Sequence, residues 1–182
     1  MPDLPKDVHA SSSVTAVRRL LAPVFAIGLA LGCRDATSPE VAAFGPRASV
    51  WLPDPSAVIL HDYYSGLVNG TDLVIADSQS WATTWAQLIR GVGPPPALPA
   101  VDFRTERVVL VALGQRSTGG FDIRIDSVVQ FQRGSVTYVT ATSPGQNCGT
   151  TSALSQPVDV IRLSPKVEPI VFQRRAVVRD CS

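Results

Sequence analysis

The chain has 182 residues, of which 45% are hydrophobic and 17% charged, and its formal net charge is +1 at pH 7. Residues 33–182 carry 13 basic and 13 acidic side chains, so this part has a formal charge of zero. It lacks the excess of basic residues typical of binding to a nucleic-acid backbone, and we expect no nucleic-acid partner. Its length is enough for one domain with its own hydrophobic core.

The first predicted element is an export signal over residues 1–32. Arg18 and Arg19 precede thirteen uncharged, mostly apolar residues that end at Gly32. A helix of thirteen residues would span about 20 Å, which is too short for a bilayer core of about 30 Å. This pattern is typical of a cleaved signal peptide.

Cys33 follows the small residue at the predicted cleavage site, and this arrangement resembles the lipid-accepting cysteine of bacterial lipoproteins. The resemblance predicts lipidation of Cys33 and anchoring in the bacterial cell envelope, on its periplasmic or surface side. The alternative is ordinary secretory cleavage near Ala30–Gly32, with no role for Cys33. Residues 33–56 hold four prolines among small residues, and we expect a flexible, lipid-anchored tether.

Residues 57–182 are predicted to form a single β-rich domain. Asn69-Gly70 is a two-residue turn signal between β-prone runs, and it predicts a hairpin whose return strand is 71–76. A helix over about 78–90 follows, because three large apolar residues recur on one face of it: Trp81, Trp85 and Leu88. We expect the two tryptophans to pack this helix on a sheet.

The second half of the chain reads as strands. Val108–Leu113 is a continuous apolar run, which predicts a central strand buried on both faces. Residues 121–131 alternate with period two, which predicts that one face points to the core: Phe121, Ile123, Ile125, Val129 and Phe131. Further strands are predicted at 136–142, 158–163 and 170–172. The expected fold is mainly β, an antiparallel sheet or two-layer β-sandwich with one packed helix.

The other two cysteines are predicted to form a disulfide. Once Cys33 is assigned to lipidation, Cys148 and Cys181 remain as an even pair in an exported protein. Two free thiols or a pair of metal ligands are the weaker alternatives. The chain has no CxxC motif, and His61 is the sole histidine after residue 32. We therefore predict no metal site.

The segment between the buried strand and the alternating one contains two adjacent glycines, which permit a tight turn. One interpretation is a hairpin connection and no more. The other is a binding loop, in which the glycine backbone is open to a partner and neighbouring side chains form hydrogen bonds. The residues alone do not decide between these two interpretations. The candidate contact residues are Arg116, Ser117, Thr118, Gly119, Gly120 and Phe121.

Leu113–Ile125 is similar to the "LGxRPTGGYxIxI" signature of the C-terminal domain family of the protease complex subunit PrcB. Flanking motifs agree in order and spacing, and the similarity runs from about Ser65 to Phe172: they are Ser65-Gly66, Asp77 with Trp81 and Trp85, Pro99–Phe103, and Thr142–Gly145 with Cys148. Ser117 replaces the family's usual proline, which implies a less rigid loop. Phe121 replaces its tyrosine, so any contact made by that hydroxyl is lost.

The resemblance implies a function as well as a fold. The family's namesake is an envelope lipoprotein that associates with a secreted protease and stabilises it. We therefore expect a membrane-tethered interaction module that binds or stabilises a secreted or envelope protease through the Arg116–Phe121 loop. The alternative is a periplasmic domain that binds a small molecule or a glycan in a pocket beside the helix.

No set of catalytic residues can be assembled from the sequence, and we predict no enzyme activity and no cofactor. His61 and Asp62 are neighbours, but adjacent residues of a strand point to opposite faces. Asp122 and Asp126 share the polar face of one strand, and a solvated surface explains them. A hydrolase is therefore the third hypothesis, behind the two binding functions.

Overall fold

The computed structural model describes residues 39–91, 93–164 and 168–181, all within one compact unit, Ala36–Ser182. The predicted export signal and the predicted lipidation site, Cys33, lie outside these residues. No helix in the described part is long and apolar enough to cross a membrane. The elements in chain order are α1 (Pro39–Ala42), β1 (Arg47–Trp51), β2 (Val58–Asp62), β3 (Thr71–Ile75), α2 (Ser78–Leu88), β4 (Arg107–Ala112), β5 (Asp122–Phe131), β6 (Gly134–Pro144), β7 (Val158–Leu163) and β8 (Ile170–Arg179).

Within the described residues, the eight strands form two sheets of four. Sheet A has the order β1-β5-β6-β8, and sheet B has the order β2-β7-β4-β3. All neighbouring strands are antiparallel except β6 and β8, which are parallel. The mainly β fold with a packed helix is therefore confirmed, as a two-layer sandwich.

The central strand β4 has both faces covered, as its unbroken apolar run predicts. Val109 and Val111 meet side chains of sheet A, chiefly Ile123 and Ile125. The other face of β4, which includes Leu110, packs against α2. Residues 108–112 are all 0% exposed, so β4 joins the two hydrophobic layers.

Helix α2 closes the outer face of sheet B. Asp77 caps its N-terminus by accepting a hydrogen bond from the Ser80 amide at 2.8 Å. Trp81, Trp85 and Leu88 are buried, as predicted, and each indole N–H donates to a carbonyl of the proline-rich segment after the helix. The helix ends at Leu88, two residues before the predicted end.

The structure corrects the predicted tether. Residues 39–51 fold onto sheet A, where Val41 and Phe44 are buried against Val136 and β1 pairs with β5. The prolines of this stretch lie at the ends of α1 and β1 and not inside them, so they interrupt neither element. Proline content predicted a linker, although buried apolar residues between the prolines hold this segment in place.

The predicted hairpin at Asn69-Gly70 is also wrong. β3 pairs with β4, and β2 pairs with β7, so the two runs flanking this turn are not neighbours in a sheet. The turn instead packs against the start of the β4–β5 connection, where the Gln115 amide donates to the Val68 carbonyl at 2.8 Å. A local turn signal did not reveal that β4 and β7 would separate its two strands.

A shift in register between Ile125 and Ser127 changes the predicted core face of β5. Ile123 and Ile125 face sheet B, as expected. Beyond the shift, Val128 takes the core position, and Phe131 packs with Phe44 on the outer side of sheet A. A β-bulge inserts one residue and exchanges the two faces, so strict alternation placed Val129 and Phe131 on the wrong side.

Candidate functional site

Three connections and the end of β8 meet at one end of the sandwich, which we call the loop end. It comprises residues 63–70 after β2, residues 113–121 after β4, residues 145–157 after β6, and Arg179. They converge because β2 and β4 are both antiparallel to β7, and because β6 and β8 run in the same direction. The candidate loop Arg116–Phe121 therefore lies among several other backbone segments.

The candidate loop is held by hydrogen bonds to the β6–β7 connection. The amides of Arg116 and Ser155 each donate to the other's carbonyl, at 2.7 and 3.0 Å. The Ser155 hydroxyl donates to the Thr118 carbonyl at 2.7 Å, and the Gly119 amide donates to the Thr151 carbonyl at 3.1 Å. These hydrogen bonds fix the loop on a scaffold.

The Gly119 amide is bonded to the Thr151 carbonyl and is not open to a partner. A side-chain carbon at this position would overlap the hydroxyl oxygen of Thr151. The prediction of a backbone open to a partner therefore fails for Gly119 but remains available for Gly120, which is exposed. The interpretation as a connection thus accounts for Gly119, and binding through Gly120 stays a prediction.

Arg116 also points back into the protein. Its Nη2 donates to the Leu113 carbonyl at 2.9 Å, and its guanidinium carbon lies 5.6 Å from the centroid of the Phe121 ring. This cation–π contact stabilises the loop. Thr118 is half-buried and Ser117 is exposed, so Ser117 and Gly120 are the outward positions of the predicted site.

A cavity of about 230 Å³ opens beside the loop. Tyr63 and Tyr64, which are 44% and 58% exposed, form one wall of it. Gly119, Gly120 and Phe121 form another, and Asp122, Thr151, Ser155 and Arg179 complete the lining. The two tyrosines were not among the predicted site residues, although an adjacent aromatic pair directly after a short strand is a detectable signal.

The predicted disulfide between Cys148 and Cys181 is present at the loop end, with their Cα atoms 5.0 Å apart. The Gly145 amide donates to the Arg179 carbonyl at 2.8 Å, which extends the pairing of β6 and β8 toward the bridge. The disulfide therefore holds the C-terminal end of β8 against the β6–β7 connection.

Behind the cavity, His61 lies between two carboxylates that the sequence analysis did not connect to it. Nε2 of His61 is 3.2 Å from Asp122 Oδ1, and Nδ1 is 3.4 Å from Asp159 Oδ1, in both cases without hydrogen-bond geometry. His61 and Asp159 are partners across β2 and β7, whereas Asp122 comes from β5 in the other sheet. Asp62 turns away and accepts a hydrogen bond from the Tyr64 amide, as strand geometry predicts.

The cluster joins the two sheets electrostatically. Asp159 Oδ2 accepts a hydrogen bond from the Ile125 amide at 2.7 Å. Burial raises the pKa of Asp159, while that hydrogen bond and the charges of His61 and Arg124 act in the opposite direction.

The side chain of Asp122 is only 12% exposed, so the expectation of a solvated face shared with Asp126 is wrong for Asp122. Asp159 could have been identified from the sequence, because it is an isolated acidic residue within the apolar run of β7.

Among the described residues, no group of three or more histidine, cysteine or acidic side chains is arranged to hold a metal ion. The two ring nitrogens of His61 are themselves buried and face carboxylates. The arrangement can stabilise the contact between the sheets, and it offers no ring nitrogen to a molecule in the cavity.

Comparison with known proteins finds one family that the central segment resembles. The family model described as PrcB C-terminal matches residues 107–164. This range begins with β4, ends just after β7, and includes the candidate loop and the β6–β7 connection that holds it. No curated protein and no solved structure gives a significant match. The resemblance of the loop signature is thus confirmed, because residues 107–164 match the PrcB C-terminal family.

Proposed function

We propose that this protein is a non-enzymatic interaction module of the bacterial cell envelope. In this proposal its loop end, including the outward residues of the Arg116–Phe121 loop, binds or stabilises a secreted or envelope protease. The PrcB C-terminal family supports association with a protease-related complex. The observation that carries the choice of site is the cavity beside the loop, with two exposed tyrosines in its wall.

The construction of the loop end supports a binding role. Its loops are fixed to one another by backbone hydrogen bonds, so little conformational entropy would be lost when a partner docks. Exposed tyrosines next to a cavity are typical anchors of protein interfaces. Binding loops on rigid strands are a frequent arrangement because the scaffold positions their side chains.

The non-enzymatic part of the proposal rests on the His61 cluster. A histidine beside two carboxylates is also found in catalytic sites, where one ring nitrogen faces the reacting group. Here both nitrogens of His61 face carboxylates and are buried. We therefore assign the cluster a structural role, and the substitution of Asp159 in the Discussion tests that role.

Membrane tethering through a lipid on Cys33 is part of the same proposal, and the sequence pattern of residues 18–33 supports it. Cys33→Ala should move the protein from the membrane fraction to the soluble fraction of the envelope. The measurement is fractionation followed by immunoblotting. Unchanged membrane retention of this variant would refute lipidation as the anchor.

The test of partner binding compares two exposed serines at opposite ends of the sandwich. Ser117→Arg adds a large side chain to the outward face of the loop, and Ser164→Arg makes the same change just after β7. Both variants should keep the melting temperature of the wild type. The proposal predicts that a co-purifying envelope protease is lost with Ser117→Arg and Tyr64→Ala but kept with Ser164→Arg. Equal retention by all three would contradict a loop-end interface.

A second candidate function is binding of a small molecule or glycan, in the cavity at the loop end and not in the expected pocket beside the helix. The dimensions of this cavity favour it. About 230 Å³ with two tyrosines and a phenylalanine in the lining suits one sugar ring or a ligand of similar size. A thermal-shift screen with monosaccharides and disaccharides distinguishes the two functions. A stabilising sugar whose effect disappears in Tyr64→Ala would favour this candidate over the protease partner.

A further inference from the structure

The outer edge of β8 is the longest free strand edge in the described part of the protein. β8 pairs with β6 along its whole length, from Ile170 to Arg179, without a shift in register. No described strand pairs with its other side. The other edge strands, β1, β2 and β3, have five residues each, and the pairings of β1 and β2 contain register shifts. Short or irregular edges discourage strand addition, and β8 has neither feature.

In β8, alternate residues direct their backbone N–H and C=O groups toward the free edge, in the plane of the sheet. At one end the Ser135 amide donates to the Pro169 carbonyl, and at the other the Gly145 amide donates to the Arg179 carbonyl, both at 2.8 Å. In a parallel ladder the residues that bond to the neighbouring strand alternate with those that do not. The odd-numbered residues of β8 therefore bond to β6. The even-numbered residues direct their N–H and C=O groups away from β6, toward the free edge.

The side chains of β8 divide the edge into two chemically different sides. Ile170 and Phe172 pack between the sheets, so Ala176 and the 61% exposed Val178 continue this apolar row on the inner side. The outer side carries Arg175 and Arg179 with Val177 between them, and β8 contains no acidic residue. Arg175 donates a hydrogen bond to the Thr140 hydroxyl at 3.0 Å and, among the described residues, has no acidic partner in an ion pair. The remaining arginine of β8, Arg174, is on the inner side and already pairs with Asp72 at 2.6 Å.

A second copy of this chain is a poor partner for the edge. Outward backbone groups belong to even residues, so an antiparallel pair of β8 strands must align even with even positions. The two registers with the greatest overlap then place Arg174 opposite Arg174, or Arg175 opposite Arg175. Like charges directly opposite each other across a strand pair are destabilising.

We propose that the edge of β8 binds an extended segment of another protein by strand addition, and that this segment alternates acidic and apolar residues. Its acidic side chains would lie on the outer side with Arg175 and Arg179. Its apolar side chains would lie on the inner side beside Ala176 and Val178. Backbone hydrogen bonds supply the affinity in this mode, and the alternate side chains supply the specificity. The proposal concerns the edge of β8, which shares Arg179 with the loop end but does not depend on the function proposed there.

The test uses the disulfide-bonded protein and two synthetic decapeptides, (Glu-Val)₅ and (Lys-Val)₅, with blocked termini. Fluorescence anisotropy should show at least tenfold tighter binding of (Glu-Val)₅. Hydrogen exchange should show at least tenfold slower exchange at the amides of Phe172, Arg174, Ala176 and Val178 when this peptide is bound. Protection confined to the loop end, or equal binding of both peptides, would overturn the proposal.

Ala176→Pro removes one outward N–H and no hydrogen bond to β6, so it should abolish peptide binding. Ala176→Thr changes the side chain but keeps the N–H, so it should retain binding that Ala176→Pro loses. Should the proline variant fail to fold, the double variant Arg175→Glu/Arg179→Glu still tests the proposal, since it should reverse the preference of the two peptides. An unchanged preference would refute it, as would a doubling of the mass of the protein through pairing of β8 with itself.

Discussion

Replacing Asp159 tests whether the buried cluster behind the cavity stabilises the contact between the two sheets. Asp159→Ala removes the acceptor of the Ile125 amide and leaves that buried N–H unpaired. An unsatisfied buried donor costs about 1–3 kcal/mol. Asp159→Asn keeps an oxygen at the same position, and we expect it to retain most of the free energy that Asp159→Ala loses.

The pH dependence gives the same prediction a second measurement. Because burial raises the pKa of Asp159 above its usual 3.8, the folded protein binds a proton more tightly than the unfolded chain does. This group therefore favours folding most below pH 3.8, and its contribution is lost as the pH rises through the raised pKa. Relative to Asp159→Asn, the wild type should gain stability as the pH falls toward 3.8.

The assay is urea unfolding of the disulfide-bonded domain between pH 4 and pH 8, with the three proteins compared at each pH. Parallel curves for the wild type and Asp159→Asn would show that the carboxyl does not titrate differently in the folded state. An equal loss of stability in Asp159→Ala and Asp159→Asn would show that the hydrogen bond to Ile125 is not what matters. Either result would refute the reasoning about this cluster.

Three further predictions test the rest of the framework. Trp81→Ala should lower the free energy of unfolding by about 3–5 kcal/mol, since Trp81 is 1% exposed between α2 and sheet B; urea unfolding measures the loss. Gly114→Ala should lower the melting temperature because Gly114 has φ +73° and the new carbon would lie 2.8 Å from the Asn69 carbonyl carbon, whereas Gly149→Ala, with nothing within 4 Å, should not. Removing both disulfide cysteines with Cys148→Ser/Cys181→Ser should cost up to about 3.8 kcal/mol on the loop-entropy estimate, and hydrogen exchange should show faster opening of the end of β8; unchanged exchange there would contradict its anchoring by the bridge.

The loop signature identified a segment that matches the PrcB C-terminal family, but it did not predict the structural roles of the residues in the loop. Arg116, Thr118 and Gly119 were candidates for contact with a partner, and the structure uses all three in bonds or packing within the loop end. The tyrosines at 63 and 64 were missed because they are distant in sequence and reach the cavity only through the pairing of β2 with β7. A motif reports which residues occur together in a chain, and a site depends on which segments meet in space.

The sequence by itself determined those features that depend on local pattern and on composition. Five features follow from the order of residue types along the chain. They are the apolar run of β4, the helix with its two buried tryptophans, the mainly β fold, the disulfide, and the match of residues 107–164 to the PrcB C-terminal family. Each depends on periodicity, on a pair of cysteines or on a contiguous signature, and none requires knowledge of which strand is next to which.

The tertiary structure alone decided the order of strands, the register shift in β5, the packing of residues 39–51 and the His61 cluster. These features depend on pairings between segments that are tens of residues apart. Local propensities are nearly the same for the alternative pairings, and the choice among them is made by burial over the whole sandwich. For this reason the two acidic neighbours of His61, Asp122 and Asp159, could not be predicted from the sequence around His61.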